Sequence, residues 1–161
     1  MAQRGFAVVA FRDNGGWRCD ALPPGVLDDL GLLLSALRGQ PPQGGPFVVA
    51  SFADEFFLIA RSHGSRIDLL LSDLTAAVEF PLAAQVLDRL GEDPPEEDEL
   101  DEVWPIGELD LFSDLELPED EMASILDDLD AYPEEMLETV IGRIGLEDQF
   151  LQARSSAEVS Q

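Results

Sequence analysis

Residues 47–71 read FVVASFADEFFLIARSHGSRIDLLL, and the way this stretch divides decides the fold. Three runs rich in Val, Ile, Leu and Phe (residues 47–52, 55–61 and 66–71) are separated by Ala53-Asp54 and by Ser62-His63-Gly64-Ser65. Short apolar runs bounded by turn formers predict strands, and connections this short join only antiparallel neighbours. A three-stranded meander is expected. Upstream, residues 5–12 (GFAVVAFR) are apolar on both faces, as a central strand would be, and Asn14-Gly15 supplies the positive backbone angles of a tight hairpin. Residues 17–22 (WRCDAL) alternate, with Trp17, Cys19 and Ala21 on one face and Arg18 and Asp20 on the other, which predicts a half-exposed partner strand.

After Pro23-Pro24-Gly25 the period changes. Val26, Leu27, Leu30, Leu33, Leu34 and Leu37 recur at helical spacing and predict one amphipathic helix ending near Arg38-Gly39. Downstream of the meander, Asp73 is placed to cap a helix carrying Leu74, Val78, Leu82, Val86 and Leu90, with Pro81 set to break or kink it. The order ββαβββα predicts an α+β lobe built on a five-stranded antiparallel sheet. It resembles the roadblock, longin and profilin group of folds, with sheet order 2-1-5-4-3. That resemblance implies a binding scaffold more readily than a catalyst, and it makes residues 5–12 and 66–71 adjacent central strands.

The second half differs in kind. Residues 1–91 carry ten acids and seven arginines, a net charge of −3, whereas residues 92–161 carry twenty-four acids and two arginines, a net of −22. The break falls at residues 92–102, within EDPPEEDELDEVWP (residues 92–105), which holds eight carboxylates and no cation. Beyond it the apolar residues fall into short helical faces: Leu109, Phe112 and Leu115; Met122, Ile125, Leu126 and Leu129; Leu137, Val140, Ile141 and Ile144. Pro118 and Pro133, each followed by two carboxylates, mark helix starts where negative charge complements the helix dipole. Helices this short are stable only when packed. The expected organisation is a sheet lobe at 1–91, an acidic linker at 92–102, a helical lobe at 103–153, and a disordered tail at 154–161 after a last turn at 147–152.

Composition narrows the function. One Cys (Cys19) and one His (His63) cannot build a Cys/His zinc site, and a lone thiol fits a reducing, cytoplasmic setting. No stretch has the length and apolarity of a membrane span, and the start lacks a signal-peptide pattern. The chain contains no lysine, which removes Schiff-base chemistry. Asp127, Asp128 and Asp130 lack the alternation, glycine and glutamate of a calcium loop, and no glycine loop opens a helix to cradle phosphate. Cys19, on the apolar face of its strand, reads as a structural thiol, and His63 as a turn residue. A formal net charge of −25 argues against direct nucleic-acid contact.

Several stretches resemble an actinobacterial family of tRNA adenosine deaminase-associated proteins. They are GFAVVAFRDNGGWR (residues 5–18), LSDLTAAVEFPLAAQVLD (71–88), VWPIGELDLFSDLELPEDEM (103–122) and DAYPEEMLETVIGRIG (130–145). The resemblance carries no catalytic residues, and the deaminase signature itself, H-x-E followed by P-C-x-x-C, is absent. The reading is a non-enzymatic, cofactor-free acidic protein that binds a basic partner. Through the resemblance, that partner is the tRNA adenosine deaminase, to which the chain acts as a regulator or tRNA mimic. The acidic run is either a self-repelling tether or an electrostatic lure, and Trp104 an anchor on this chain's own helices or on a partner. The candidate contact residues are Glu96, Glu97, Asp98, Glu99, Asp101, Glu102 and Trp104. The alternative is a roadblock-like adaptor or chaperone unrelated to tRNA editing, forming a homodimer through an exposed strand or helix.

Overall fold

A computed structural model describes residues 5–13, 16–40, 44–52, 55–63, 66–93, 96, 105–128 and 131–159. The elements are β1 (Phe6–Asp13), β2 (Gly16–Ala21), α1 (Leu30–Arg38), β3 (Phe47–Phe52), β4 (Phe56–His63), β5 (Arg66–Leu71), α2 (Pro81–Leu90), β6 (Ile106–Gly107), α3 (Glu119–Leu126), α4 (Pro133–Arg143) and α5 (Glu147–Val159). The α+β class and the meander stand as expected: β3, β4 and β5 pair in succession, all antiparallel. The β1–β2 hairpin closes at Asp13 opposite Gly16, and its turn residues, Asn14 and Gly15, lie outside the described residues.

The strand order is not that of the roadblock and profilin group. It runs β2-β1-β3-β4-β5-β6, so β1 lies against β3, and β5 is separated from β1 by two strands. The reason lies in the path of α1. This helix runs back over one sheet face and delivers the chain to the end where β1 finishes, beside the edge of β1 that β2 leaves open. β3 takes that place, and each later strand adds outward. β5 is apolar on both faces because helices cover both faces of the sheet, and its outer neighbour is the short β6.

Three layers result. On one face, Ala7, Val9, Val48, Ala50, Leu58 and Leu71 meet α1 and α2. On the other, Phe6, Val8, Phe47, Val49, Phe57 and Ile59 meet Phe112, Met122, Leu137, Val140, Ile141 and Phe150 of the C-terminal segment. The helices beyond the acidic run therefore lie directly on the sheet and share its core. Burial of apolar surface at about 25 cal/mol per Å² supplies the stability that such short helices lack alone.

Local chemistry corrects two boundaries, and the break expected at Pro81 stands. The stretch expected as one helix from Val26 is a 3-10 turn, Pro24–Asp28, followed by α1. Asp29 interrupts it with extended backbone (φ −144°, ψ 105°), and its carboxylate accepts from the Gly31 and Leu32 N–H groups as an N-cap. Asp73 caps a second 3-10 turn, Leu74–Val78, and Pro81 breaks the segment by opening α2. Helix α5 runs to Val159, past the point where the sequence predicts a disordered tail. It persists because Phe150 and Ala153 are buried against the sheet. Arg154 lies over the Phe6 ring and pairs with Glu134 and Glu138 of α4.

Candidate protein-interaction surface

The C-terminal layer is joined to the sheet by one buried cation. β4 alternates Phe57, Ile59 and Arg61 toward the C-terminal helices, so Arg61 follows two core residues inward and is itself buried. All five of its N–H groups are used. Nε donates to the Gly45 carbonyl at 2.8 Å, Nη1 to the Leu111 carbonyl at 2.7 Å and to Asp114, and Nη2 to the Gly44 carbonyl at 2.8 Å and to Asp114 at 2.9 Å. The Phe112 ring lies 5.5 Å from the guanidinium. Residue 45 must be glycine: its φ is +72°, and a Cβ there would sit 2.8 Å from Arg61 Nε. Burial tends to raise the Asp114 carboxyl, but the hydrogen bonds and charge of Arg61 outweigh it and hold the group below its usual range. This clasp is absent from the sequence reading, although the alternation of 57, 59 and 61 in a strand apolar on both faces contains its signal.

Around the clasp the helices present carboxylates to solvent. Residues 119–154 carry eleven acids and two arginines. Both arginines are spent within the layer. Arg143 of α4 pairs with Glu121 of α3, and Arg154 of α5 pairs with Glu134 and Glu138 of α4, so each ties two helices together. What remains outward is strongly negative: Glu119, Asp120, Asp127, Asp128, Glu135 and Glu147 are all exposed. Two open grooves flank α4. One, of about 430 Å³, lies between α3 and α4 with Ile125, Ala131 and Met136 along it. The other, of about 620 Å³, lies on the α5 side with Ile141, Phe150 and Leu151.

Of the residues singled out from the sequence, Glu96 is exposed, while Glu97, Asp98, Glu99, Asp101, Glu102 and Trp104 lie outside the described residues. Cys19 is half-buried on β2 beside α5, and burial, with Asp20 adding to it, pushes its thiol up to about 12. A thiol so rarely ionised is a poor nucleophile. His63 ends β4 rather than sitting in a free turn. Its Nε2 lies 3.2 Å from a carboxylate oxygen of the nearly buried Asp68, off the line of a good hydrogen bond, and Asp68 also pairs with Arg66. Ser62, the adjacent hydroxyl, falls on the opposite face of the strand, so no nucleophile and base are set up together there. Among the described residues no group of three His, Cys, Asp or Glu side chains is arranged to hold a metal ion.

Two comparisons bear on identity. Protein Rv3753c of Mycobacterium tuberculosis is 40% identical over 147 residues, which span 91% of this chain and 85% of that protein. No solved structure matches the chain. A family model described as Rv3753c-like tRNA adenosine deaminase-associated protein matches residues 5–147, from the start of β1 through the clasp and α4. By both measures the chain belongs to the family of Rv3753c-like tRNA adenosine deaminase-associated proteins.

Proposed function

We propose that the protein is a non-enzymatic accessory partner of the tRNA adenosine deaminase, and that its C-terminal helical layer is the contact surface. The observation that carries this reading is the state of the two arginines on that layer: both are paired internally, so the outward charge is almost purely carboxylate. An enzyme that holds tRNA needs a cationic surface for the phosphates, and a carboxylate-rich face is complementary to it. The family's description as tRNA adenosine deaminase-associated supports the deaminase as that partner. The carboxylates of the acidic run at residues 92–102 add to the chain's negative charge as a lure. The adaptor alternative drew on the strand order of the roadblock group, and β2-β1-β3-β4-β5-β6 removes that support.

Competition tests the reading. Purified deaminase, tRNA and this protein are mixed, and inosine formation is followed as the protein is titrated. Occupation of the tRNA-binding surface predicts inhibition that excess tRNA relieves. A stable ternary complex with undiminished activity would place the contact elsewhere on the enzyme and rule out mimicry.

A further inference from the structure

We infer that the α3–α4 groove is the seat of an amphipathic helix of the partner, one whose apolar stripe is flanked by arginine or lysine. This rests on the protein-binding reading above and specifies its chemistry. The groove has an apolar floor of Ile125, Ala131 and Met136, and methionine adapts its shape to a bound side chain. Its outer wall is the crown of α4, which is unusually low. Thr139 Oγ1 donates back to the Glu135 carbonyl at 3.0 Å, which turns its hydroxyl onto the helix backbone, and one turn on Gly142 carries no side chain, with the Glu147 carboxylate beside it. A low crown at Thr139 and Gly142, between two grooves, lets a third helix approach closely and lay its side-chain ridge into the gap.

The rim chooses the occupant. Asp128 and Glu135 border the groove and are exposed, Glu135 also accepting from the Tyr132 N–H at 2.9 Å, and at the far end Arg143 pairs with Glu121. A helix with apolar residues at i, i+3, i+4 and i+7 and cations beside that stripe satisfies floor and rim together. A second copy of this chain does not, because the helical faces that would meet each carry the same excess of carboxylate. An acidic or purely apolar helix fails at the rim.

The probe is a labelled leucine–lysine peptide of about 18 residues with one apolar stripe, compared with a peptide of the same composition whose order destroys the stripe. The ordered peptide is expected to bind at least tenfold more tightly. In Thr139→Arg, which puts bulk and a cation on the crown without touching the core, its affinity should fall tenfold or more. Ser35→Arg, the same charge change on the exposed side of α1, should leave it unchanged. Equal binding of the two peptides, or equal behaviour of the two variants, would overturn the groove and reduce the contact to adsorption on charge. Self-association of the wild-type protein that Thr139→Arg abolishes would instead assign the groove to a second copy. The deaminase separates this proposal from the reading beneath it. Undiminished deaminase binding by Thr139→Arg overturns the groove as the enzyme's seat and leaves the accessory role standing. Failure of the wild-type protein to bind the deaminase overturns the accessory role, whatever the peptide does.

Discussion

Replacing Arg61 by Met is expected to destabilise the fold by about 3–4 kcal/mol, a large share of the roughly 5–15 kcal/mol that holds a domain together. Methionine fills part of the volume but donates nothing. The Leu111, Gly45 and Gly44 carbonyls lose their partner, and the polar contact between β4 and the C-terminal layer goes with them. Asp114→Asn should cost only about 1 kcal/mol, because the Asp114 side chain is 60% exposed and an amide can still accept from Arg61. The asymmetry is the informative part, since a simple surface salt bridge would make the two losses similar and small. Thermal denaturation reads it as a fall on the order of 10 °C for Arg61→Met. The sign with pH is also set. A carboxyl held below its unfolded value stabilises the fold above that value, about 3.9, and loses its contribution as pH falls through the lower folded value. The clasp should therefore weaken on the acid side, below roughly pH 4, with no contribution to any change at alkaline pH.

Gly107→Ala is expected to detach the other fastening of the same layer. Gly107 pairs with Leu70 at a φ of +119°, and a Cβ there would lie 2.0 Å from the Leu69 carbonyl oxygen, closer than any side chain tolerates. The backbone has to move, at a cost of roughly 3 kcal/mol. The hydrogen bond from the Glu108 N–H to the Leu69 carbonyl, 2.8 Å, is the first to be lost. The check is amide exchange at Glu108 together with the melting temperature, and an unchanged pair of values would show that β6 does not hold the segment.

Both fastenings show where sequence reading reaches and where it stops. Hydrophobic period reports which side chains are buried and says little about what buries them. The alternation of β2, the continuous apolarity of β1, the break at Pro81 and the helix starts at Pro118 and Pro133 follow from period, proline geometry and capping alone. Strand order does not follow. β5 is apolar on both faces through the two helical layers that sandwich it, a state indistinguishable by composition from a place beside β1. The length of α5 was hidden because its anchors, Phe150, Ala153 and Arg154, find their partners on β1 and α4, far away in sequence. The acidity of the C-terminal layer was legible from the charge count. Its shape was not, because the grooves beside α4 depend on how three helices pack on the sheet.

The central claim is that this carboxylate-rich layer recognises a cationic protein, and the affinity of the purified chain for purified tRNA adenosine deaminase, measured without tRNA at about 0.05 M and about 0.3 M salt, tests it most directly. Screening of exposed charge over roughly 10 Å at 0.1 M predicts tight binding at the lower concentration and a fall of tenfold or more at the higher. No complex at low salt, or an affinity indifferent to salt, would contradict the account.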